Sequence, residues 1–169
     1  MKKLIILALV FYGCNTNKLE KDLYKNEKFK VVLNIKISKD DKFQLFYTNR
    51  AKGDFNNDNK ILKYVSKNVA FQKIIFELPI GVIPKKIRVD LGEKFNIDDL
   101  VIGEITIGYT NKQIKIDENS MGFYFKKNAF LNYKKDKNLN VFTPKIINGR
   151  YDPFIFSTPL LNKKIEIVF

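Results

Sequence analysis

The sequence predicts an all-β protein, a two-sheet antiparallel β-sandwich of jelly-roll-like winding. Three observations carry that expectation. Segment after segment alternates apolar with polar residues, and period two sends successive side chains to opposite faces of a sheet. Gly, Pro, Asn and Asp punctuate these segments at short intervals. No segment sustains a long helical period. Many short strands with one apolar face must bury that face, and a second sheet is the simplest cover.

The chain opens on MKKLIILALVFYGC. Lys2 and Lys3 give a positive start, and Leu4 to Tyr12 is apolar but too short to span a bilayer. This is the layout of a secretory signal. Gly13 before Cys14 sharpens it, because Cys14 is the only cysteine of the chain. The stretch resembles a bacterial lipoprotein signal, with Phe11 and Tyr12 standing where that pattern usually has leucine and a small residue. The resemblance implies cleavage after residue 13, a lipid on Cys14 (palmitate among its acyl chains), and a tether over residues 14–28. Each buried methylene adds about 0.8 kcal/mol to such an anchor.

A sandwich domain is then expected over residues 29–169. Val31, Leu33, Ile35 and Ile37 alternate with Lys30, Val32, Asn34 and Lys36, Phe43, Leu45 and Tyr47 alternate with Gln44 and Phe46, and the Ser38–Asp41 turn between them suggests a hairpin. Residues 48–60 read as a polar loop, and 61–65 as a short apolar piece of undecided type. Three strands follow, on Ile74/Phe76/Leu78, Ile87/Val89/Leu91 and Ile105/Ile107/Tyr109. Pro79, Gly81 and Pro84 separate the first two, and Gly92 with residues 96–99 the second two. Lys112–Ile116 reads as a strand after a Thr110-Asn111 turn. Further short strands are expected at 123–125 and 154–156, with 129–133 a strand or a bend, 134–140 a loop, and 165–169 the last strand.

Composition narrows the function. The chain has 169 residues, 45% of them apolar, with 15 Phe and 8 Tyr. That is enough to bury a core in one domain. The net charge is +13, and only Arg50, Arg88 and Arg150 among the basic residues are arginine. The lysines are spread along the chain, and nucleic-acid readers favour guanidinium forks, so nucleic acid is not the expected partner. There is no His and a single Cys, which removes Ser-His and Cys-His catalysis and any intrachain disulfide. No cofactor is expected.

Some motifs hold chemistry. Asp54, Asn56 and Asp58 place oxygens at alternate positions, like the start of a calcium loop, but Asn59 replaces the turn glycine and Val65 the bidentate glutamate. A solvated loop is the plainer reading. Carboxylates at Asp90, Glu93, Asp98, Asp99, Asp117 and Glu118 could serve a glycan hydrolase, but no two of them pair by sequence. Tyr47, Phe55, Tyr109, Tyr124, Tyr133 and Tyr151 are candidates for a sugar-stacking surface. Arg88 and Asp90 share one face of one strand, where they could bind a polar ligand or pair across strands.

FQLFYT at 43–48, FQKIIFELP at 71–79, IRVDLG at 87–92, VIGEITI at 101–107 and the step Asp152-Pro153-Phe154 together carry a resemblance. They are similar to a β-sandwich module found with bacterial polysaccharide-related glycosyltransferases, with Leu91 where the module has proline. The resemblance implies a carbohydrate-binding-like fold over residues 29–169 and no catalytic residues. The expectation is therefore a lipid-anchored, exported, non-enzymatic sandwich of the cell envelope, on an outer membrane if the cell has one. Its expected partners are the membrane, through the lipid, and a glycan held by Tyr47, Arg88, Asp90, Tyr109, Tyr124 and Asp152. A module docking another envelope protein, and a glycan hydrolase, stay open as alternatives.

Overall fold

The computed structural model describes residues 26–50 and 53–169. The signal segment, Cys14 and most of the tether lie outside the described residues. Within them, strands form two antiparallel sheets packed face to face. Sheet A has the order β4 (Asn68–Glu77), β1 (Lys30–Ile37), β6 (Leu100–Tyr109), β10 (Leu139–Pro144), β9 (Leu131–Asp136). A sixth strand, β7 (Lys112–Ile116), joins it by pairing with β6. The free side of β6 is thus shared: β7 takes residues 105–109 and β10 takes 100–102. Sheet B has the order β3 (Lys60–Val65), β2 (Asp41–Thr48), β5 (Lys86–Asp90), β11 (Phe154–Ser157), β8 (Phe125–Lys127).

The core lies between the sheets and follows the alternation in the sequence. Val31, Leu33, Ile35, Leu45, Ile87, Val89, Ile105 and Ile107 are fully buried. Phe29, Phe43 and Phe76 are the largest side chains among them. Each such side chain contributes about 1.5–3 kcal/mol relative to exposure, so burial of this face dominates the stability of the fold.

Several expectations are corrected. The first two strands do not form a hairpin: β1 pairs with β4 and β6 in sheet A, and β2 with β3 and β5 in sheet B. The Ser38–Asp40 turn carries the chain from one sheet to the other. The apolar piece at 61–65 is β3, hairpinned to β2. Residues 134–140 are not a loop. They are the hairpin of β9 and β10, closed by Lys137-Asn138 with φ of 43° and 66°. Two consecutive positive φ values are what a two-residue type I′ turn requires. The segment at 123–125 opens with a helical turn, α1 (Met121–Tyr124), and extends only from Phe125.

The largest correction is at the C-terminal end, which is the helix α2 (Pro159–Val168) rather than a strand. Thr158 caps it, its hydroxyl accepting from the Leu161 amide at 3.3 Å, and Pro159 sits at the first helical position, where a missing N–H costs nothing. Leu161 and Ile165, one turn apart, are fully buried, while Ile167 is exposed. Ile165, Ile167 and Phe169 alternate by coincidence. The Phe169 ring meets Phe29 edge-on at 5.3 Å, which closes this end of the sandwich. Among the described residues no helix is long and apolar enough to cross a membrane.

Candidate functional site

The outward face of sheet B concentrates the unusual chemistry. The register builds it in rows. Leu62, Gln44, Asp90 and Phe154 stand side by side across four strands. The next row is Lys60, Phe46, Arg88, Phe156 and Lys126. Thr48 and Lys86 follow on one side, and Lys42 with Tyr64 on the other. On β2, β5, β8 and β11 each of these residues alternates with a core residue of the same strand, so the sequence that fills the core also sets this surface.

Arg88 is its centre. The guanidinium lies 3.6 Å from the Phe154 ring centroid and 5.3 Å from that of Phe46. Its Nε donates to Asp90 Oδ1 at 2.6 Å and its Nη2 to Asp90 Oδ2 at 2.9 Å, a bidentate fork. The same Nη2 donates to Asp152 Oδ1 at 3.1 Å. The Asp90 side chain is 13% exposed and that of Asp152 44%. Burial pushes the Asp90 carboxyl up to about 6, against the pull of Arg88 and with repulsion from Asp152 and Glu93 adding to the rise. Gln44 donates its amide to Glu93, which also pairs with Lys42 at 3.3 Å. Among the described residues Gln44 Oε1 is buried without a hydrogen-bond partner.

One end of the face is pinned by Asp41. Its Oδ1 accepts from the amides of Lys42, Glu93 and Lys94 at 2.7, 2.9 and 3.1 Å, so the loop after β5 is tied to the start of β2. Gly92 makes that approach possible. Its φ is +122°, and a Cβ there would collide with the Asp41 carboxylate.

Three of the six ligand residues expected from sequence come together here: Arg88, Asp90 and Asp152. Three do not. Tyr47 faces inward and is 7% exposed, because it shares the β2 face of Phe43 and Leu45. Tyr109 lies at the end of β6 with its ring 6.4 Å from Phe29. Tyr124 ends α1, where its hydroxyl accepts from Lys164 at 2.9 Å. The rings that do border the clamp, Phe46, Phe154 and Phe156, were not expected there. Their signal is in the sequence, as the partners of the buried Leu45 and Ile155 in the alternation. Tyr64, 76% exposed, extends the same surface along β3.

The remaining candidates serve the loops. Asn56 accepts from the Asn59 amide at 3.2 Å, which closes the turn of the proposed calcium segment. Asp98 accepts from Ser38 at 2.8 Å and pairs with Lys39, Asp99 accepts from Thr143, and Asp117 accepts from Ser120 at 2.7 Å. Among the described residues no group of three or more His, Cys, Asp or Glu is placed to hold a metal ion. No family model, no curated protein and no solved structure matches this chain. The functional reading therefore rests on the residues themselves.

Proposed function

We propose that the protein is a lipid-anchored, exported sandwich of the bacterial cell envelope that binds surface glycan without catalysis. The observation that carries this reading is the outward face of sheet B. Phe46, Phe154, Phe156 and Tyr64 offer ring surface around the Arg88–Asp90–Asp152 clamp, in which Asp90 is mostly buried and Asp152 reaches solvent, with lysines along the rim. A sugar ring stacks its apolar face on an aromatic one, while fixed polar groups take its hydroxyls. The Asp152 carboxylate, half-exposed beside Arg88, is an acceptor for such hydroxyls. The signal-like start supports the address.

The same geometry speaks against hydrolysis as the work of this face. Asp90 and Asp152 both bind one guanidinium nitrogen, so Arg88 occupies the space a glycosidic bond would need between acid and nucleophile. A second reading has its own observation. β4 is an edge strand, and Val69, 91% exposed, and Ile75 stand along it, which suits an envelope protein adding to the sheet.

A glycan-array screen of the full chain at two salt concentrations tests the proposal. Binding that survives high salt is expected, with Phe46→Ala, Phe156→Ala and Tyr64→Ala each weakening it about fivefold or more. Tyr109→Ala, on sheet A, leaves it unchanged. Silence across the array sinks the glycan reading and moves the role to the β4 edge.

A further inference from the structure

At the Lys86 end the aromatic face of sheet B runs into a cavity of about 620 Å³. Three segments wall it. The loop at Gly53–Phe55 lies on one side, Lys85 and Lys86 lead into β5, and the junction of β11 with α2 closes the far side. Lys86 and Phe156 belong both to the face and to the cavity, so the two are one continuous surface.

The floor is fixed by hydrogen bonds. Ser157 Oγ accepts from the Ile87 amide at 3.0 Å. The Asn162 amide, oriented to satisfy its neighbours, donates to the Lys85 carbonyl at 3.1 Å and to Ser157 Oγ at 2.6 Å. These bonds tie the entry of β5 to the first turns of α2 and hold the Lys85 backbone in place. Phe55 and Phe156 supply apolar walls. The volume is within the roughly 300–1,000 Å³ range of sites that take small molecules.

The charges are already partly matched, and the mismatch is informative. Lys163 pairs with Glu166 at 3.0 Å, and Lys86 Nζ donates to the Gly53 carbonyl at 2.9 Å. Asp54 and Glu166 also line the cavity, and Lys163, with Lys85, helps hold the Glu166 carboxyl below its usual range, but among the described residues Lys85 has no carboxylate within 4 Å of its ammonium. It is an exposed cation at the mouth of an aromatic-walled cavity, in a chain of net charge +13 that draws anions toward it.

We propose that this cavity is a subsite for an acidic sugar unit, one bearing a carboxylate, with Lys85 as the residue that distinguishes it from a neutral unit. The inference rests on the glycan reading of the adjoining face and adds the class of glycan. The carboxylate sits on the Lys85 ammonium, the sugar ring lies against Phe156 and Phe55, and the neighbouring units run along the Arg88 face. Lys163, committed to Glu166, adds less.

The test is calorimetric titration of the full chain with an oligouronate and with its carboxyl-reduced, neutral counterpart, at low and high salt. Wild type is expected to prefer the oligouronate at both salts. Lys85→Gln is expected to lower oligouronate affinity roughly fivefold and to leave the neutral affinity within a factor of about two. Lys73→Gln, a lysine of β4 in the other sheet, controls for diffuse charge and leaves the preference intact. Equal affinity of wild type for the two sugars overturns the inference, as does a preference that Lys85→Gln leaves unchanged or that Lys73→Gln removes equally. In those cases the glycan reading stands. Binding of other glycans with silence toward this pair also overturns the acidic subsite alone. Silence toward every glycan removes both.

Discussion

The two outer faces of this sandwich are written by the same alternation, yet they differ in what they shield from water. On sheet A, Glu77 pairs with Lys28 and Lys30 at 3.4 Å, with all three side chains about two-fifths exposed or more. Those pairs are solvated and contribute little. Among the described residues a single ring, Phe71, lies across the face, in the space left by Gly103 and under Lys36, whose Nζ is 4.4 Å from the ring centroid. On sheet B the ion pair is shorter, better aligned and sandwiched by rings. Taking those charges out of water opposes folding, and apolar residues would do the structural task more cheaply. A face that keeps such a group where a simpler one would suffice is the better place to look for function.

Breaking the clamp gives the sharpest contrast. Arg88→Ala strips the cation from a mostly buried carboxylate and is expected to cost about 3–5 kcal/mol in urea denaturation. Glu77→Ala on sheet A is expected to lower the denaturation midpoint only slightly. Equal effects at the two positions would erase the distinction drawn between the faces.

A pH series sharpens the same point. Folded Asp90 holds its proton up to about 6, against an ordinary value of 3.8. The folded state therefore binds more protons than the unfolded chain between those values. The contribution of Asp90 is fully present below about 3.8 and lost as pH rises through 6. The stability of wild type minus that of Asp90→Asn is expected to fall by roughly 2 kcal/mol from pH 4 to pH 7, as measured by chemical denaturation at each pH. The exposed Glu77 is shifted the other way by Lys30 and Lys28, so Glu77→Gln gives a difference that declines with acid instead. A flat profile for Asp90→Asn would show that burial and Arg88 cancel.

The smallest effect is expected on sheet A. A Cβ at Gly103 would stand 3.0 Å from the Phe71 ring edge. Gly103→Ala should cost about 1 kcal/mol by pushing the ring aside, and clearly less in a Phe71→Ala background. An unchanged cost in that background would place the strain in the β6 backbone rather than in the ring.

The legible and the hidden parts of this fold divide along a physical line. Alternation tells which way a side chain points, so the core residues of β1, β2, β5 and β6 could be read from sequence, and so could the shared face of Arg88 and Asp90. It does not tell which strand lies alongside. The Ser38–Asp40 turn reads as a hairpin turn until the partners of β1 are known to come from residues 68–77 and 100–109. The buried place of Tyr47 follows from the alternation of its own strand, which sets it with Phe43 and Leu45, and not from the usual half-exposed habit of tyrosine. At α2 two periods coexist, and the Thr158-Pro159 cap, visible in the sequence, was the cue that settles between them. The meeting of Asp152 with Arg88 spans 64 residues and depends on β11 lying beside β5, which no local pattern encodes.

The crossing between sheets after β1 also bears on how the chain reaches this shape. β1, β4 and β6 belong to one sheet while β2, β3 and β5 belong to the other, so no uninterrupted stretch of chain can complete either wall by itself. Distant pairings must be found before any of them is rewarded, and chains of that kind fold in milliseconds to seconds rather than microseconds. Both walls then mature together, and a deletion within either one is expected to abolish the aromatic face and the plain one alike.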